Sequence, residues 1–233
     1  MTNHSLTRAA FEAGAVEQMM LNCGMPIRVL TQEERDASLA KTLASCPGSA
    51  DDDIWLFAYG SLIWNPTIAF AERRAGTIRG WHRRFCLSSP VGRGTPERPG
   101  LMLGLDRGGS CRGVAYRVAA DHVRHELAVV WRREMVTGAY APRWVRVAVA
   151  ESGGMREVPA IAFTINRAGP NYVGTLPREQ VIERLAIAAG QLGSSADYLF
   201  ETVKALANAE MPDSHLERLA DAVRAAQQAA AKG

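Results

Sequence analysis

Between Ile54 and Asn166 the chain carries six short runs rich in apolar, aromatic or β-branched residues: "IWLFAYG", "WHRRFCLSS", "LMLGLD", "CRGVAYRV", "RWVRVAVA" and "VPAIAFTI". Gly- and Pro-rich stretches such as "PVGRGTPERPG" and "DRGGS" separate them. Short strands with that punctuation predict an antiparallel or mixed, barrel-like sheet. One helix interrupts them: in "AADHVRHELAVVWRREMV", Val123, Leu127, Val130 and Trp131 share one α-helical face.

Both flanks read as helical. From Ser5 to about Pro47, "LTRAAFEAGAVEQMMLN" predicts a helix, and Thr31-x-x-Glu34 has the form of a capping box opening a second. "SCPGSADDD" then breaks the helix as a linker. After Leu176, "PREQVIERLAIAAGQLG" starts with proline and ends in glycine, the usual asymmetry of a helix. "SADYLFETVKALANAEM" and "SHLERLADAVRAAQQAAAKG" follow, the last with Ser214-x-x-Glu217 as another capping box. The expected class is α+β, a small mixed or antiparallel β-barrel-like core flanked by helices. Residues 1–50 are read as an N-terminal helical extension and linker, and residues 51–233 as the main domain.

A hydrophobic content of 47% supplies a sizeable core. The net charge of +3 comes mainly from arginines scattered in pairs such as Arg73-Arg74, Arg83-Arg84 and Arg132-Arg133. Scattered arginines read as a solvated face, so no nucleic-acid partner is expected. Cys23, Cys46, Cys86 and Cys111 form no CxxC pair and no secretory signal precedes them, so free thiols in a reducing cytoplasm are expected. No apolar run approaches the roughly 20 residues of a membrane span. A soluble, cytoplasmic monomer is the default expectation.

"FAYGSLIWNP" (Phe57–Pro66) breaks a strand at a Gly-Ser pair directly after a tyrosine. Glycine lets a ligand approach the main chain, and consecutive amides at such a turn can form an anion-binding nest. An ordinary turn fits the tripeptide alone equally well. The decapeptide, however, resembles the signature of the ChaC-like γ-glutamylcyclotransferases. "RGTPERPG" (Arg93–Gly100), "GVAYRV" (Gly113–Val118), "WRREMVTGAYAPRWV" (Trp131–Val145) and "DYLF" look like further family segments, in order, from about Ile54 to Leu219.

The resemblance implies that residues 51–233 are a catalytic domain with the family's fold. It implies a turn at Tyr59, Gly60, Ser61 and Leu62 that holds a γ-glutamyl group, and a catalytic glutamate at Glu134. Read alone, Glu134 between arginines would be a solvated acid paired with Arg132 or Arg133. Tyr140 and Tyr198 match tyrosines that line the family's pocket. The implied reaction is cyclisation of glutathione to 5-oxoproline with loss of Cys-Gly. The substrate's own α-amine attacks its γ-carbonyl, so no metal and no cofactor are required. Alternatives are a cyclotransferase for other γ-glutamyl amines or amino acids, and a non-catalytic γ-glutamyl-binding or regulatory protein.

Other motifs carry less. His122-x-x-His125 lacks the HExxH form, and Asp51-Asp52-Asp53 reads as a linker charge run. Neither GK[ST] nor GxGxxG follows a strand, so no dinucleotide or ATP is implied.

Overall fold

The computed structural model of the chain describes residues 6–49 and 52–232. Helices α1 (Arg8–Glu12), α2 (Ala15–Leu21) and α3 (Gln32–Ala44) precede the first strand, β1 (Ile54–Ala58). Then come β2 (Glu72–Ser89), β3 (Gly100–Val118), α4 (Val123–Glu134), β4 (Tyr140–Glu151) and β5 (Gly154–Ile165). Helix α5 (Arg178–Ile187), the small hairpin β6 (Ala189–Gly190) and β7 (Gly193–Ser194), and helices α6 (Ser195–Asn208) and α7 (Ser214–Ala230) finish the chain.

Strands β1–β5 close into a barrel in the order β1-β3-β2-β4-β5. Neighbours in that order are antiparallel except at the closing seam, where β1 runs parallel to β5 with Trp55 opposite Ala160 and Leu56 opposite Ile161; β3 also touches β5 in parallel at Leu105 and Thr164. The expected mixed, barrel-like core flanked by helices is therefore present. Leu56, Phe57, Leu103, Leu105, Ile161 and Phe163 are almost wholly buried in it. Helix α4 packs on this core through Trp131, whose ring meets Phe163 edge-on at 5.0 Å, while its indole N–H donates to Ser38 Oγ of α3 at 3.1 Å.

Several local expectations need correction. The first predicted helix is two, because Gly14 takes a left-handed φ of 73° and turns the chain between α1 and α2; Ser5, where the helical block was expected to begin, lies outside the described residues. "LMLGLD" and "CRGVAYRV" belong to one long strand, since Asp106, Arg107 and Ser110 of "DRGGS" stay paired with β2 around a bulge at the two glycines. "ERRAGTIRG" is strand as well, although its charge hid it. Helix α5 stops at Ile187, before the hairpin, so its expected terminal glycine closes no helix. Helix α7 is capped by Asp213, whose carboxylate accepts from the His215 and Leu216 amides, and not by a Ser214 box. The Thr31–Glu34 capping box is present.

The arginines are less solvated than their scatter suggested. Arg35, Arg83 and Arg133 are nearly buried, and Arg84 and Arg167 converge on the fully buried Asp106, which also accepts from Tyr172 at 3.0 Å. Burial alone would raise the Asp106 carboxyl; the Arg107 amide, Arg167 and Tyr172 outweigh it and hold the group below the usual carboxylate range. Asp53 ties the linker down by accepting from Arg117 and from the Ala120 amide; Asp51 lies outside the described residues. His125 stands beside the Arg8 guanidinium at 2.9 Å.

Candidate active site

Strand β1 delivers the chain into a tight turn. Ile63 N donates to Gly60 O at 2.9 Å and Asn65 N to Ser61 O at 2.9 Å, while the Ser61 and Leu62 amides meet no backbone acceptor among the described residues. A Cβ on residue 60 would lie 2.9 Å from the Tyr198 hydroxyl oxygen. Glycine is needed there because a tyrosine presses on the main chain. Tyr116 OH, shared between Leu62 O and Ile63 O at 3.2 Å each, and Arg83, bonded to Tyr59 O at 3.0 Å, hold the turn from below.

Glu134 is the last residue of α4, and the helix lays it beside this turn. Arg133 connects the two. Its Nε lies 3.0 Å from Glu134 Oε1, and its Nη2 donates to Ser61 Oγ at 2.8 Å and Nη1 to Asn65 O. Only 13% of the Glu134 side chain is accessible, and it opens into a cleft that the residue lines. Burial raises its carboxyl above the ordinary glutamate range, with Arg133 pulling the other way. A carboxylate at the negative end of a helix is disfavoured too, in the same sense as burial.

Two adjoining cavities meet here, sharing Ser61, Glu134, Tyr140 and Tyr198. The inner one, about 20 Å³, is lined also by Tyr59, Gly60 and Leu62. The outer cleft, about 170 Å³, adds Arg93, Arg133, Trp64 and Asn65. All seven residues singled out from the sequence thus line connected space. Their tyrosines differ, however. Tyr59 donates its hydroxyl proton to Phe163 O at 2.7 Å, and Tyr140 donates to Leu103 O at 2.9 Å. Tyr198 faces Ser61 and Gly60 with its proton uncommitted to any carbonyl among the described residues. Burial, then the nearby Glu134 charge, keeps the Tyr198 phenol above its usual range, so it is a neutral donor.

Sequence reasoning missed Arg93 and cast Arg133 only as a surface partner of Glu134. Arg93 lines the cleft with its guanidinium 5.7 Å from the Tyr198 ring centre and bonded to Ser194 O at 3.3 Å. Its place inside "RGTPERPG" was the available signal.

Residues 54–226 match a family model described as ChaC-like protein. The chain belongs to the ChaC-like family. Among ChaC-like relatives, the glutathione-specific γ-glutamylcyclotransferase of Escherichia coli (strain K12) is 39% identical, the match covering 91% of this chain and 86% of that protein. The glutathione-specific γ-glutamylcyclotransferase 1 of Mus musculus is 32% identical over 78% of this chain and 86% of its own length. Among solved structures, a yeast γ-glutamylcyclotransferase specific to glutathione superposes with a TM-score of 0.67 at 22% identity, covering 74% of this chain and 96% of that one. That likeness speaks for the ChaC-like fold.

Proposed function

We propose that this chain is a glutathione-specific γ-glutamylcyclotransferase that releases 5-oxoproline and Cys-Gly. The observation that carries the reading is a buried carboxyl, Glu134, lifted above the ordinary glutamate range by burial, in one cleft with a donor-rich turn. The relatives that share the family act on glutathione by name. In this reading residues 51–233 are the catalytic domain and residues 1–50 an appended helical segment.

The substrate carries nucleophile and electrophile in one molecule, so the protein must first curl it. Good intramolecular orientation can lower such a barrier by roughly 7–11 kcal/mol. The Ser61 and Leu62 amides, with Arg133 or Arg93, suit the α-carboxylate, because donors to a charged acceptor bind strongly. Glu134 takes a proton from the α-ammonium as the amine attacks the γ-carbonyl. The same carboxyl returns that proton to the departing nitrogen, which would otherwise leave as an amide anion; the second proton, shed by the ring nitrogen as it becomes the lactam N–H, goes to the same departing group, which leaves as an ammonium. An ordinary glutamate is too weak a base for this, and burial corrects it. The Tyr198 hydroxyl is placed to donate to the carbonyl oxygen as it becomes negative.

Incubating the purified protein with glutathione is expected to yield 5-oxoproline and Cys-Gly in equal amounts; binding without product would instead support the γ-glutamyl-binding reading. We place the protein in a reducing cytoplasm as a monomer acting on this small molecule without a nucleic-acid or membrane partner. All four cysteines are free, and no described helix is long and apolar enough to cross a membrane.

The pH profile follows from the charges. Attack requires ionised Glu134, so kcat/KM should rise with pH through that group's pKa. Arg133 lowers that pKa, and its removal must raise it. Arg133→Met is therefore predicted to move the acid limb to higher pH; a limb that stays in place, or moves lower, would mean another group titrates.

A further inference from the structure

The segment ahead of the barrel carries side chains into the outer cleft that the proposed reaction does not use. Leu6, Phe11, Val16, Met19, Met20 and Ile27 line it, and none carries a charge. Met19 reaches across to the opposite rim: a Cβ on Gly92 would lie 3.6 Å from the Met19 methyl and 3.3 Å from Leu192. That juxtaposition closes the cleft between helix α2 and the loop after β2.

The segment is fastened rather than loosely laid. Arg8 donates to both oxygens of the nearly buried Glu126 on α4, at 2.6 and 3.0 Å, and Glu126 also accepts from the Ala69 amide at 2.7 Å. Asn65 Nδ2 donates to Leu6 O at 3.0 Å, and Glu17 pairs with the almost inaccessible Arg35 at 2.5 Å. The Phe11 ring covers the Arg133 guanidinium at 5.2 Å, on the cation that also pairs with Glu134. The family model begins only at Ile54, so this wall lies outside the part matched by it.

The two ends of the cleft therefore differ in chemistry. Around Glu134 stand the turn amides, two arginines and three tyrosines. The other wall offers apolar and thioether surface. Methionine is flexible and polarisable, and suits a sulfur-bearing group of irregular shape. We infer that residues 6–27, through Met19 and Met20, form the subsite that selects the departing half of the substrate by its thiol-bearing aminoacyl side chain. The inference rests on the cyclotransferase reading given above.

The test compares full-length parent, Met19→Ser/Met20→Ser and the volume-preserving Met19→Leu/Met20→Leu. Each is assayed for 5-oxoproline release from glutathione and from γ-glutamylmethylamide, whose departing group is too small to reach the wall. Stripping apolar surface from a binding pocket typically changes discrimination about tenfold or more. The serine variant should lose that much kcat/KM on glutathione, through KM, and stay within about twofold on the methylamide. The leucine variant should recover most of the loss. Equal losses on both donors, no loss on either, or leucine as impaired as serine would overturn the inference. Should the parent cleave glutathione alone, a fall in kcat at constant KM overturns it and a rise in KM at constant kcat upholds it. A parent that cleaves neither refutes the cyclotransferase reading instead. Calorimetry with glutathione then decides the wall: tenfold weaker binding by the serine variant supports it, and equal or undetectable binding in both proteins overturns it.

Discussion

Glu134→Gln is expected to remove 5-oxoproline release while leaving the fold and glutathione binding in place. Glutamine keeps the shape of the side chain and can still accept from Arg133 Nε, so the Arg133 fork to Ser61 and Asn65 survives. What it cannot do is take a proton from an ammonium and hand it to a leaving nitrogen. A positioned general acid–base group typically accounts for about 10²–10⁴ in rate, and here one group serves both steps, so the upper part of that range is expected. Folding should not suffer, because the buried charge removed was being held against its desolvation cost. The measurements are product release, a thermal melt and calorimetric binding. Parental turnover in this variant would remove Glu134 from the mechanism altogether.

Tyr198→Phe should produce the second large loss, and should separate from its two neighbours. Tyr59 and Tyr140 spend their hydroxyl protons on Phe163 O and Leu103 O, which brace β1 and β4 against the sheet. Their phenylalanine variants each lose one buried hydrogen bond, a cost of about 0.5–1.5 kcal/mol in stability, with modest effect on the chemical step. The Tyr198 proton has no carbonyl to satisfy among the described residues and lies against Gly60 and Ser61. If it serves the developing oxyanion, its loss should lower kcat by roughly 10²–10³ with little change in melting temperature. Equal kinetic losses in all three variants would mean that the tyrosines merely shape the cavity.

The barrel was legible because its strands announce themselves through β-branched and aromatic runs, and because α4 shows a clean apolar stripe from Val123 to Trp131. Strand lengths were not. Glycines at 108 and 109 look like a loop, yet they form only a bulge at positive φ within one long strand, with Arg107 and Ser110 on either side still paired across to β2. Charge misled in the same way at Glu72–Arg74, where alternate residues face outward and pair with each other and with Arg117. At the site, periodicity places Glu134 at the end of a helix but is blind to what lies opposite. Burial of Glu134 depends on a turn more than seventy positions earlier and on Phe11 at the other end of the chain. Arg93 was hidden for a similar reason: its neighbour, Tyr198, comes from a helix formed near the C-terminus.

The parallel seam between Trp55–Leu56 and Ala160–Ile161 joins the earliest strand of the barrel to the latest. Nascent chain leaving a ribosome would expose β1 with one of its two edges vacant until nearly the whole barrel sequence had been made. The bend at residues 59–62 hangs from that strand, so it gains its final support only at closure. Half-made molecules should accordingly be inert toward cellular thiols, and competence would await both the last staves of the cylinder and the later helix that brings Tyr198.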